Sequence, residues 1–226
     1  MDLTTEFTGY VESHIPPGFF VRLAEEYEQD YASALDFCLR RFNREEAMDL
    51  LPYERRARNE TSLLHVAMEF RHRGIAAASV PNITGSNFHV EVVVGPILLT
   101  SSFVQHSGGL VRMAEFRGTL AHDRQESFLT DERPAGDRFY ALHLHGNKRI
   151  EKVRYHGVLG FFELAVPSNN CEQYLDTPMN LAARYRNEEV DPADVRAAAE
   201  AGFRVEGQRQ PSALLADYRR LLGRNS

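Results

Sequence analysis

The sequence predicts an α+β fold, with a mainly antiparallel sheet over about residues 75–166 and N-terminal and C-terminal helices packed on it. Three observations carry this reading. Apolar residues recur at three-and-four spacing before Gly74, alternate with period two across most of Ile75 to Val166, and return to helical spacing after Pro178.

The first helix is predicted from Phe20, Leu23, Ala24, Tyr27, Tyr31, Leu35, Cys38, Leu39 and Phe42, which form one stripe, with Pro16-Pro17-Gly18 marking its start. Asn43-Arg44-Glu45-Glu46 is a capping box that opens a short helix through Leu51. Pro52 is expected to interrupt that helix and to start another, over Tyr53 to Phe70. The helix over Tyr53 to Phe70 would turn Leu63, Leu64, Ala67 and Met68 inward and Glu54, Arg55, Arg56 and Arg58 toward water, with Gly74 as its stop.

In the central part, Phe88, Val90, Val92 and Val94 alternate with His89, Glu91 and Val93. Gly95-Pro96 separates this run from Ile97 to Val104, which predicts an antiparallel pair, with Ile75 to Val80 as a third strand. A helix is expected around Met113, Phe116 and Leu120. Phe139 to Gly146 alternates strictly, placing Tyr140, Leu142 and Leu144 on one face and His143 and His145 on the other. Val158 to Val166 is apolar on both faces except for Glu163, as a central buried strand would be. Helices are expected over Pro178 to Arg186, from Asp191-Pro192-Ala193-Asp194, and over Pro211 to Leu222. Residues 1–226 are expected to form a single domain, with 1–73 a candidate helical subdomain.

Composition narrows the function classes. With 226 residues, 43% of them hydrophobic and 26% charged, the chain has the make-up of a globular protein with a sizeable core. No run approaches the ~18 to 20 apolar residues of a membrane span, and Met1 to Glu6 lacks a signal-peptide pattern. A cytoplasmic location is therefore expected, without membrane association. Cys38 lies on an apolar stripe and Cys171 beside a loop, which suggests neither a disulfide framework nor a zinc site. The formal charge of -6 makes nucleic acid an unlikely partner. Only Lys148 and Lys152 are lysines among the 26 cationic residues, the usage expected of a GC-rich bacterial genome.

The candidate chemistry lies on the strands. If the strands are neighbours, His89, Glu91, His143, His145 and Glu163 would meet on the polar side of the sheet. His143, His145 and Glu163 are the candidate catalytic residues, and His89, Glu91, His143 and His145 the candidate ligands of a transition metal, the one cofactor the pattern allows. The opposing reading is a solvated sheet face. The His143-Leu144-His145 spacing matches the start of the cupin metal motif, yet Glu151 follows after five intervening residues and no later histidine block exists after Val166. Comparison with restriction-endonuclease-like nucleases fails for want of a lysine beside Glu91 or Glu163. Nucleophile-elbow, dinucleotide and P-loop signatures are absent.

Two arginine groups stand out. Arg55, Arg56, Arg58, Arg71 and Arg73 are interleaved with Glu54, Glu60 and Glu69, as on a salt-bridged solvated face. Arg204, Arg209, Arg219, Arg220 and Arg224 form a second basic region. The first expectation for function is a non-enzymatic domain that binds a protein partner or small ligand. The alternative is a metal-dependent or His/Glu acid–base hydrolase using the polar face of the sheet.

Overall fold

A computed structural model describes residues 3–82, 85, 87–112, 114–129, 139–148, 157–185 and 187–200. Its helices are α1 (Leu3–His14), α2 (Pro17–Arg41), α3 (Arg44–Glu69), α4 (Glu115–Leu129), α5 (Leu181–Arg184) and α6 (Pro192–Glu200). Its strands are β1 (Ile75–Pro81), β2 (Phe88–Val94), β3 (Ile97–Phe103), β4 (Phe139–Asn147), β5 (Leu159–Ala165) and β6 (Met179–Asn180). The class is α+β, with a mostly antiparallel sheet, as the periodicity predicts. Among the described residues, no helix is long and apolar enough to cross a membrane.

The α2 stripe buries Phe20, Leu23, Ala24, Tyr27, Tyr31 and Cys38, whereas Leu39 and Phe42 at its far end are exposed. The Asn43 side chain caps α3 by accepting from the Glu46 N–H at 3.0 Å. Pro52 does not interrupt the helix: α3 runs through it without a break, correcting the two-helix expectation. The missing proline N–H and its ring cost about 3 kcal/mol, but the packing on both sides outweighs this. Ala47 and Leu51 pack on Ala34 and Cys38 of α2, and Leu63, Val66 and Ala67 enter the main core. Each fully buried Val or Leu contributes about 1.5–3 kcal/mol.

A buried ion pair ties α2 to the end of α3. Arg22, 6% exposed, donates from Nε to Glu69 Oε2 at 3.1 Å and from Nη2 to Glu26 Oε1 at 2.5 Å. These carboxylates raise the Arg22 pKa against the opposing effect of burial. Arg22→Met should therefore cost about 3–5 kcal/mol in urea denaturation, because it removes one partner of a buried ion pair. A loss below 1 kcal/mol would show that Glu69 finds other solvation.

The sheet order is β1-β2-β3-β4-β5-β6. Every neighbour pair is antiparallel except β3 and β4, which run parallel with Ser101 opposite His143 and Phe103 opposite His145. α4 lies in the crossover between them.

Both faces of β3, β4 and β5 are covered, whereas in β1 only Ile75 is buried. Val90, Val92, Val94, Ile97, Leu99, Ala141, Phe162 and Leu164 join α1, α2 and α3 in the larger core. Leu98, Tyr140, Leu142, Leu144, Phe161 and Ala165 form a second core with Val104, Val111 and Ala121 of the crossover. This corrects the expectation of a solvated sheet face, since in β4 only Asn147 is less than fully buried. β5 is buried as expected, yet it lies next to the short edge strand β6 rather than at the centre. At the β4–β5 irregularity a Cβ on Gly160 would meet the backbone of Asn147 and Lys148, so the two strands close up only around glycine.

Elsewhere the chain departs in detail. α1 was not anticipated, although Phe7 and Val11 belong to the larger core. The helix expected from Pro178 to Arg186 is β6 followed by the short α5, whose N-cap Asn180 accepts from Ala183 N–H at 2.9 Å. α6 begins where Asp191-Pro192 predicts. The expected helix from Pro211 to Leu222 and the basic cluster Arg204, Arg209, Arg219, Arg220 and Arg224 lie outside the described residues.

Candidate functional site

β4 alternates as predicted, with His143 and His145 facing α2 and Tyr140, Leu142 and Leu144 facing the α4 side. The histidine face is interior, since His143 is 0% and His145 4% exposed. Tyr27 of α2 sits over both imidazoles, its ring centroid 5.2 Å from that of His143 and 4.9 Å from that of His145. Tyr27 OH donates to Ser101 Oγ at 3.0 Å, which leaves the serine hydroxyl able to donate to His143 Nδ1 at 3.2 Å. His143 Nε2 has no hydrogen-bond partner, and the Phe162 ring lies 4.2 Å from the imidazole. Burial pushes the His143 pKa down to about 3.

His145 is held differently. Its Nδ1 lies 2.7 Å from Tyr31 OH and 3.4 Å from Asn59 Nδ2, so it accepts from both. Burial lowers its pKa, and the neighbouring His143 and Arg55 add to the effect. Both imidazoles are therefore neutral core groups at ordinary pH.

The other three candidates lie across the sheet. Val90, Val92 and Val94 of β2 point into the larger core, so His89 and Glu91 point to the α4 side. There His89 Nδ1 lies 2.9 Å from Asn82 Oδ1 and Nε2 lies 3.1 Å from Glu91 Oε1. The same imidazole stacks on Phe116 with centroids 3.8 Å apart. Glu163 of β5 also faces the α4 side, where it accepts from Ser107 Oγ and from the Gly108 N–H, the latter at 3.0 Å, and so pins the loop after β3.

The structure thus brings His143 to His145 and His89 to Glu91, and it leaves Glu163 apart from both pairs. The five do not converge, because strand parity sends two through one face and three through the other. Glu91 and Glu163 also stand on β2 and β5, with β3 and β4 between them. Among the described residues, no group of three or more His, Cys, Asp or Glu is arranged to hold a metal ion.

What the strand pattern did not indicate is a cavity of about 540 Å³ at the carboxyl ends of β3 and β4, between α3 and the start of α4. Arg55, Arg56, Arg112 and Arg117 line it, together with Glu60 and the β3 terminus at Phe103. His145 reaches its wall, whereas His143 does not line it.

Arg55 is its central feature. Expected in water, it is instead 5% exposed, with its guanidinium carbon 4.3 Å above the Tyr31 ring and 5.9 Å from that of Phe103. Among the described residues, its Nε and Nη2 have no hydrogen-bond partner. Burial lowers its pKa, partly opposed by Tyr31, yet a guanidinium stays charged at any physiological pH. Asn59, 2% exposed, likewise leaves its Oδ1 without a donor.

Arg117 reaches the cavity from α4. Its Nη1 donates to the Arg112 carbonyl at 3.0 Å, its Nε has no partner, and burial lowers its pKa against the pull of Tyr140 and Glu60. Glu60 accepts from the Val90 N–H at 2.7 Å. Burial raises its pKa, while that hydrogen bond and the nearby Arg56, His89 and Arg117 pull it down.

The α3 spacing did contain a signal for this site. Ala47, Leu51, Arg55 and Asn59 follow at intervals of four and lead into Leu63, so Arg55 and Asn59 lie on the buried stripe. The remaining charges on this part of the chain behave as a salt-bridged surface, with Arg58 paired to Glu54 at 2.6 Å and Arg73 to Asp194 at 2.7 Å. Comparison with models of protein families, with curated proteins and with solved structures gave no match.

Proposed function

We propose that this chain is a ligand-binding domain whose ligand is a small, multiply charged anion held in the arginine-lined cavity. The observation that carries the reading is Arg55, an interior guanidinium with two nitrogens unpaired, set in the wall of an open cavity. A buried cation without an anion costs several kcal/mol, and a bound anion would remove that cost. Among the described residues, four arginines against the single carboxylate Glu60 give the cavity wall a strong positive bias within a chain of net charge -6. Guanidinium forks pair bidentately with phosphate and carboxylate oxygens. A concave space of this size suits a small molecule better than a flat protein face.

The hydrolytic alternative relies on His143, His145 and Glu163, of which only His145 lines the cavity; Ser101, outside that set, also lines it, with Oγ 3.2 Å from His143 Nδ1. With its pKa near 3, His143 is a poor general base at neutral pH. Binding is therefore the reading the geometry supports best.

Titration calorimetry with inorganic pyrophosphate and with citrate, at low and raised salt, tests it. Saturable one-to-one binding that weakens with salt is expected for at least one of them. Arg55→Met should reduce the affinity about 30-fold or more, as loss of one partner of a buried charge pair does. No binding of either probe, or binding that Arg55→Met leaves unchanged, overturns the proposal.

A further inference from the structure

Building on the anion reading, we infer that the ligand is a nucleotide, with its phosphates on Arg55 and Arg117 and its base against Phe103. Charge sets the lower limit on the anion. Among the described residues, three of the four arginine charges remain after Glu60 is counted, so a monoanion such as chloride or acetate would leave most of the bias in place. A nucleoside diphosphate carries enough negative charge to offset it. The site also has a built polar framework, since Arg55, Asn59 and His145 are all nine-tenths or more buried and all line the cavity. It opens beside the N-terminal end of the 15-residue helix α4, whose dipole is positive there.

Two features call for more than phosphate. Phe103 is the only exposed residue of β3, 42% open, and it lines the cavity with the Arg55 guanidinium carbon 5.9 Å from its ring. An aromatic surface beside a phosphate clamp is a stacking platform for a base. The buried Asn59 Oδ1 needs a donor, which a base amino group or a ribose hydroxyl supplies and pyrophosphate lacks. A polycarboxylate would satisfy the arginines and leave both features unused. The cavity, about 540 Å³, lies within the size range of pockets that enclose ligands of this class.

The test compares ADP and GDP with inorganic pyrophosphate and citrate by calorimetry on the full chain. At least one nucleotide should bind about ten-fold or more tightly than pyrophosphate, the increment that one base–aromatic stack supplies. Phe103→Ala should erase the nucleotide's advantage over pyrophosphate, and Phe103→Tyr should restore it. Arg55→Met should weaken nucleotide and pyrophosphate alike. Pyrophosphate or citrate binding as tightly as both nucleotides overturns the nucleotide inference and leaves the anion reading standing, as does a nucleotide advantage that survives Phe103→Ala. Failure of all four probes to bind overturns both.

Discussion

Acidification from pH 7.5 to 4.5 is expected to remove about 2.5 kcal/mol of folding stability through His143 alone, and His145, whose pKa burial also lowers, adds to the loss. His143 is held near pKa 3 and His145 is also lowered, both chiefly by burial, against an unfolded value of 6.5. The sign follows from which state takes up the proton. Above pH 6.5 neither state is protonated at these rings, and the full stability is present. Below it the unfolded chain binds protons that the folded chain refuses, so stability falls by about 1.4 kcal/mol per pH unit per imidazole. For His143 the loss continues until the pH passes its folded value near 3. Against the total of about 5–15 kcal/mol for a domain, this loss should appear as a clear fall in the urea midpoint before the carboxylates are neutralised. Urea denaturation at pH 7.5, 6.5, 5.5 and 4.5 measures the slope. His143→Leu should remove the His143 contribution, and the difference between the two proteins isolates it from the carboxylates and from His145. Identical slopes in the two proteins would show that His143 titrates normally in the fold.

Replacing Arg55 should move stability and binding in opposite directions. In the unliganded protein Arg55→Met removes a buried charge with two unpaired nitrogens and leaves a flexible apolar chain in its place. The guanidinium also loses its position over Tyr31, an interaction worth up to about 2 kcal/mol when desolvated. The expected balance is a gain on the order of 1–2 kcal/mol, read as a higher midpoint in thermal or urea unfolding. Pyrophosphate, which should raise the midpoint of the parent by mass action, should then leave that of the variant unmoved. A variant destabilised by 3 kcal/mol or more would mark Arg55 as a structural anchor instead. Stability gained together with binding lost is the pattern of a side chain kept at a cost for its ligand.

The fold was legible because its signals are local. Val90, Val92 and Val94 alternate with His89, Glu91 and Val93, Asn43 stands at a helix start, and Asp191-Pro192 opens α6, each readable from a few neighbours. The site was less legible because its facts are not local. Alternation assigns His143 and His145 to one face, but only the packing of α2 shows that this face is interior. Strand parity relative to distant strands placed Glu163 and the His89–Glu91 pair on the other side, and nothing within β2 or β5 encodes that relation. Arg55 was misassigned because its charge was weighed above its position. Its interval of four from Leu51 and from Asn59 already placed it on the buried stripe.

The one parallel joint in the sheet also bears on how the molecule is made. The α2–α3 hairpin and the β1–β3 meander can form from near neighbours in the chain, but Ile97 must wait for Phe139 before β3 meets β4. Until then β3 is an open edge, apolar on both sides over Ile97-Leu98-Leu99, and it presents unpaired backbone to any other chain. The cavity takes one wall from Ser101 to Phe103 and another from His145 and Asn147, so it comes into being only when that last seam closes. On the proposed anion reading, only chains that have finished folding would take up the ligand. A ligand present during refolding should draw material away from the aggregating, half-zipped form.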